Sequence, residues 1–167
     1  MNINKDIEIE ISGLGIIMYS DFAVQSILEG EDYFIESYQT PQQVAKHVNE
    51  GSIVGFCTSS EGNYILKVRS GYPIQKKIED AEFKITLGIE VRDKRICIRD
   101  LYDLMRWNKK CNYNQIIELD NGFYNVILYG DIPETNVIGD NQIIYVYLNR
   151  TDAIPDLRYD GVPIFCE

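Results

Sequence analysis

Ile7-Glu8-Ile9-Glu10-Ile11 alternates apolar and acidic positions without a break. That is the period of a strand with one face in the core and one in water. Gly13 ends the alternation, and Leu14–Tyr19 follows as a short extended apolar run. Between Asp21 and Tyr38 two patterns compete. Phe22, Ala23, Ile27 and Leu28 can line a helical face, whereas Tyr33-Phe34-Ile35 reads as strand. Pro41–Glu50 carries the clearest helix signal. Thr40 and Gln43 form a Thr-x-x-Gln capping box, Pro41 suits the first helical position, and Gly51 stands where a left-handed residue ends the helix. Val44, Ala45 and Val48 share its apolar side, with Lys46 and His47 off it.

Beyond Ile53 the pattern turns strongly β. Ile53–Thr58 and Tyr64–Arg69 flank a Ser-Ser-Glu-Gly-Asn turn cluster and predict a hairpin. Phe83–Val91 alternates over nine residues, turns at Arg92-Asp93-Lys94, and is expected to pair with the returning Arg95–Arg99. Asp100 can cap a short helix over Leu101–Trp107. Asp120-Asn121-Gly122 places Gly where φ > 0 is wanted, which predicts a third hairpin from Ile116–Leu119 to Phe123–Tyr129. Gln142–Leu148 is a further strand, and residues 149–167 read as an extended tail anchored by Leu157, Tyr159, Val162 and Phe165. The expected fold is all-β or β-dominated α+β: a single-domain antiparallel β-sandwich over residues 1–167, with one or two short helices and the tail packed on it.

Composition changes the picture in two ways. The 12 tyrosines among 167 residues suit strands and binding surfaces alike, and most are expected to keep their hydroxyls in water. The net charge of −10 argues against nucleic acid and anionic membrane as partners, since both demand a basic footprint. The charge is also uneven. Residues 1–60 carry two basic and nine acidic side chains, residues 61–111 twelve and eight, and residues 112–167 two and nine. Such acidity keeps a protein in solution, and its field can also speed association with a basic protein.

Candidate chemistry is sparse. Gly13-Leu14-Gly15 has Met18, not glycine, at the third fingerprint position of a dinucleotide loop. There is no phosphate-loop motif and no nucleophile elbow. The one histidine, His47, reads as a solvated helix residue, and a Cys57–His47 dyad would need a thiolate inside an apolar strand. Cys57, Cys97, Cys111 and Cys166 are scattered, with no CxxC clip, and suggest a reducing, cytoplasmic setting. No catalytic residue, metal site or cofactor is therefore predicted, and non-catalytic behaviour is favoured over an enzyme. Glu29, Glu31, Asp32 and Glu36 lack the spacing of a calcium loop. Mixed with Tyr33 and Tyr38, they form the candidate partner-binding segment, aromatic anchors ringed by carboxylates.

The helix leading into Gly51-Ser52-Ile53-Val54-Gly55-Phe56, the Phe83–Val91 strand with its return Ile96–Ile98, and the Asp120–Val126 turn and strand resemble the small competence-associated nuclease-inhibitor family of bacteria. The likeness spans roughly residues 41–130, leaves Asn136–Glu167 without a counterpart, and carries over no functional residue. It implies an acidic β-sandwich that blocks a basic enzyme; bacterial immunity proteins of toxin systems are similar in being small, acidic, intracellular and non-catalytic. The expectation is an intracellular inhibitor or immunity protein for a basic partner such as a nuclease or toxin. Two alternatives stand beside it: a small-ligand-binding or hydrolytic protein with a Tyr- and carboxylate-lined cleft, and an oligomeric structural module.

Overall fold

The computed structural model describes residues 2–166. In chain order its strands are β1 (Asn4–Ile11), β2 (Gly15–Tyr19), β3 (Val54–Cys57), β4 (Gly62–Ser70), β5 (Phe83–Val91), β6 (Arg95–Asp100), β7 (Ile116–Glu118), β8 (Gly122–Gly130) and β9 (Gln142–Thr151). They build a five-stranded sheet, β1-β4-β9-β8-β5, and a four-stranded sheet, β3-β2-β6-β7. Side chains with period 2 close the two inner faces on one core. Ile7, Leu66, Leu87, Val126 and Val146 come from the larger sheet, and Ile16, Val54, Phe56, Ile96 and Ile98 from the smaller. Each is essentially inaccessible to water. The β-dominated two-sheet architecture expected from the alternation is therefore present.

The pairing differs from the expected one in an instructive way. None of the three predicted hairpins forms. β3 and β4, β5 and β6, and β7 and β8 each lie in different sheets. β5 pairs with β8, and β6 pairs with β2 and β7. The short turns are arches that carry the chain across the core. A hairpin and an arch need the same local sequence, two amphipathic strands around a tight turn, so turn chemistry cannot separate them. The ladder is also mixed rather than wholly antiparallel. β4 runs parallel to β9, Tyr64–Ser70 against Gln142–Leu148.

Tyrosine hydroxyls lock two of these arches. Tyr64 donates to the Ser60 carbonyl at 2.7 Å and Tyr124 to the Asp120 carbonyl at 2.7 Å, each reaching four residues back over its own turn. This is the logic of a tyrosine corner. Tyr38 and Tyr159 likewise donate to the carbonyls of Ile53 and Thr86. These four hydroxyls are bonded to backbone carbonyls rather than solvated.

Burial of so many phenols makes stability fall in alkali. Burial holds Tyr19, Tyr33, Tyr38, Tyr64, Tyr124 and Tyr159 above the ordinary tyrosine value. Burial, with Tyr147 and Tyr145 beside it, pushes Tyr129 up to about 12. Above pH of about 10 the unfolded chain ionises its tyrosines while the folded chain does not. The unfolded state then binds fewer protons, so stability drops as pH climbs from about 10 towards 12. Urea midpoints measured across that range are expected to decline steeply. A flat profile would contradict the burial assigned to these rings.

α1 (Pro41–Glu50) forms as its caps predict. Thr40 Oγ1 accepts from the Gln43 amide at 3.2 Å, Gln43 Oε1 accepts from the Thr40 amide at 3.0 Å, and Gly51 sits at φ 70°. Val44, Ala45 and Val48 pack against the β3 and β5 edges, and the Glu90 amide donates to the Gly51 carbonyl at 2.9 Å. α2 (Gln75–Asp80) buries no side chain, which is why no apolar stripe announced it. Past β9 the tail returns to the β3 edge. Cys57 donates its amide to the Pro163 carbonyl, and the Phe165 amide donates to the Cys57 carbonyl. Phe165 and Cys166 are buried and Leu157 and Tyr159 half-buried, but Val162, expected as an anchor, is 40% exposed.

Candidate functional site: an apolar cleft with acidic flanks

The outer face of the four-stranded sheet is covered by two irregular stretches. One is a 3₁₀ turn at Asp21–Val24 followed by a π-helical turn at Phe34–Tyr38. This resolves the stretch whose helix and strand patterns competed. The other is a 3₁₀ turn at Leu101–Met105 running into Trp107, where a short helix was expected. Asp100 caps that turn through the Tyr102 amide at 3.0 Å. Between these covers, β3 and the tail, a cleft of about 200 Å³ stays open, lined by Leu14, Phe34, Val44, Cys57, Leu101 and Val162. Gly55 underlies it for a steric reason. A Cβ there would lie 2.5 Å from the Tyr38 hydroxyl, so only glycine lets the hydroxyl end of that ring approach the strand so closely. Leu14 at the rim is 51% exposed, an apolar side chain with no cover of its own.

Carboxylates stand on both sides. On one side Glu10, Glu61 and Asp100 line an adjoining hollow with Ser12. Asp100 is held there by accepting from the Ser12 amide at 2.8 Å and from the Gly13 amide. On the other side lies the predicted acidic–aromatic segment. Glu29, exposed, accepts from the Lys109 amide at 2.9 Å. Glu31, half-buried, accepts from the Leu28 amide, and exposed Asp32 caps the following turn through the Ile35 amide at 3.0 Å. Glu36 is exposed, and Ile35 beside it is 58% exposed. The segment is pinned by backbone bonds: the Gly30 amide donates to the Trp107 carbonyl at 2.7 Å, and the Trp107 amide to the Glu31 carbonyl at 2.9 Å.

The two predicted aromatics part ways. Tyr33 is half-buried at the edge of the segment, whereas Tyr38 is 2% exposed and its ring is core, under the cleft rather than at its rim. His47 is not the solvated residue its helical position suggested. Its Nε2 lies 2.8 Å from the Tyr33 hydroxyl, its Nδ1 2.8 Å from the Gln43 carbonyl, and its ring 5.0 Å from that of Tyr38. Burial raises the Tyr33 pKa, with Glu31 and Glu50 adding to the effect, so the phenol is neutral at ordinary pH. The pair acts as a clasp that ties the acidic segment to α1. Cys57, expected inside an apolar strand, is half-buried at the cleft. Sequence reasoning missed the cleft because its walls come from six separate stretches. The signal was Leu14, an apolar residue just past a strand break.

Among the described residues no three of His, Cys, Asp and Glu come together as metal ligands, and no helix is long and apolar enough to cross a membrane. No protein-family model matches the chain, and no curated protein matches it by sequence. By fold it falls in a class of small two-sheet β proteins with solved examples. ComJ from Bacillus subtilis, inhibitor of the DNA-degrading activity of NucA, superposes with a TM-score of 0.57 at 13% identity, over 90% of this chain and 99% of ComJ. The product of crocagin biosynthetic gene J superposes with a TM-score of 0.56 at 11% identity, over 90% of this chain and 98% of that one. The resemblance read from residues 41–130 thus extends, as fold, over nearly the whole chain.

Proposed function

We propose that this protein is an inhibitor that captures a basic protein, with a DNA-degrading enzyme as its class of target. The observation that carries this reading is the apolar cleft with carboxylates on both flanks, on a fold shared with a nuclease inhibitor. An apolar anchor enters the cleft while Lys or Arg of the partner meets Glu10, Glu36, Glu61 and the Glu29–Asp32 segment. That is the division between a desolvated centre and a charged rim found in tight complexes.

The test is inhibition. The protein is titrated against basic DNA endonucleases encoded in the same genome, with DNA cleavage as the readout. Cleavage is expected to stop near one equivalent at low ionic strength and to recover as salt screens the acidic rim. Undiminished cleavage by every such enzyme, with no complex on size-exclusion chromatography at low salt, would refute the proposal.

A further inference from the structure

We propose that the open edge of β1 receives an extended, basic strand of the captured protein, which continues the larger sheet. The outermost strands are β1 and β5 in the larger sheet and β3 and β7 in the smaller. Three of these edges are covered or short. The tail bonds Cys57 on β3. The Gly51 carbonyl and the Tyr159 hydroxyl bond Glu90 and Thr86 on β5. β7 spans only Ile116–Glu118. β1 spans Asn4–Ile11, and its free side has no such cover.

The ladder decides which backbone groups are free. In an antiparallel pair, successive residues direct their amide and carbonyl alternately towards the neighbouring strand and away from it. The Ser70 amide donates to the Ile3 carbonyl at 3.2 Å, and Asn4 stands opposite Arg69. Lys5, Ile7, Ile9 and Ile11 therefore bond β4, whereas Asn4, Asp6, Glu8 and Glu10 direct their backbone groups to the open edge. All four are exposed. Among the described residues, no group from outside the sheet bonds their amides or carbonyls. Such a row of unmet donors and acceptors is a template for another strand.

Charge selects the occupant. Ile7, Ile9 and Ile11 fill the core, so Asp6, Glu8 and Glu10 place their side chains on the solvent face. Asp6 is paired with Arg69 at 2.9 Å. Glu8 and Glu10 stand opposite Ile65 and Asn63, and among the described residues neither has an ionic partner. Their positions lie about 7 Å apart along the strand, which is the spacing of alternate side chains on any added strand. Lys or Arg at alternate positions of that strand faces them as cross-strand pairs. A second copy of β1 in antiparallel register sets carboxylate against carboxylate, which is destabilising. Beyond Glu10 the added strand reaches the hollow lined by Glu61 and Asp100, and so continues the acidic rim of the cleft. Strand addition rests on the capture reading above, from which it takes only the partner's basic character.

The probe is the end-capped peptide Lys-Val-Lys-Val-Lys-Val-Lys, added to the intact protein at low salt, with amide hydrogen exchange read by NMR. In the free protein, exchange is expected to be fast at Asp6, Glu8 and Glu10 and slow at Ile7 and Ile9. With about nine-tenths of the protein bound, exchange at the first three should slow about tenfold, since only the free fraction exposes them. Two N-methylated peptides separate hydrogen bonding from charge, one methylated at every Lys and one at every Val. An added strand bonds β1 through only one of these sets, so one peptide should protect the edge and the other should not. E8K/E10K should abolish binding of the unmodified peptide. No slowing at the three amides, equal behaviour of the two methylated peptides, or undiminished binding to E8K/E10K would each overturn the proposal. If the variant fails to fold, the exchange measurements on the wild-type chain decide it. The two readings fail separately. Nuclease inhibition without edge protection removes strand addition alone, and edge protection without inhibition of any nuclease removes only the class of target.

Discussion

Trp107→Ala is expected to lower the unfolding free energy by about 3–5 kcal/mol, the usual range for emptying a buried tryptophan site. Trp107 is the largest fully buried side chain of the protein, at 2% exposure. Its ring meets Tyr19 edge-on at 5.6 Å and lies 4.7 Å from the Arg99 guanidinium. Arg99, itself almost buried, bonds Asp103 at 2.8 Å, the Asn108 carbonyl at 2.6 Å and the Tyr19 hydroxyl at 3.2 Å. Removing the indole opens a cavity and strips the apolar lid from this cation. Trp107→Phe provides the contrast. The indole Nε1 is buried with no hydrogen-bond partner, so phenylalanine loses volume but also removes an unsatisfied donor. Its cost should be clearly smaller than that of alanine. Urea unfolding of both variants measures the difference. A loss below about 1 kcal/mol for Trp107→Ala would mean the outer face of the smaller sheet is not a packed part of the core.

The triple variant E10K/E36K/E61K is expected to weaken capture of the proposed basic target about 100-fold at low salt. Like charges set against a basic surface cost several kcal/mol, and a factor of 100 requires about 2.7 kcal/mol. All three side chains are exposed and flank the cleft, so the fold should tolerate the change. Asp80, Glu134 and Asp152 are also exposed but neither line the cleft nor neighbour a lining residue in the chain, and D80K/E134K/D152K alters net charge by the same amount. If association is steered locally, the first variant loses affinity through its on-rate and the second changes it little. Equal losses would show that overall charge, not this rim, attracts the partner.

How far the candidate site could be read from sequence varies residue by residue. Glu29, Glu31, Asp32 and Glu36 were visible as a cluster because charged side chains in a turn-rich stretch stay at the surface. Tyr38 was misplaced among them, since only the approach of Gly55 shows that its ring is core. Tyr33 and His47 lie fourteen positions apart, and nothing local says that a helix brings imidazole to phenol. Glu10, Leu14, Glu61, Leu101 and Val162 come from distant stretches, so the cleft they form had no linear signature at all.

Periodicity and caps determined the elements themselves. The strict alternation of β1 and β5 and the capping box and glycine stop of α1 each depend on neighbours within a few residues, and all appear where expected. The excess of acid over base was equally plain. Which strand lies beside which was decided by the tertiary structure. Turns at Ser59–Asn63, Arg92–Lys94 and Asp120–Gly122 suit a hairpin or an arch equally well. The choice falls to the core, which gains more by stacking each pair of strands across it than by laying them edge to edge. That choice put β2 beside β6, buried the outer face of the smaller sheet under two irregular stretches, and left between them the cleft that no segment of the sequence contains.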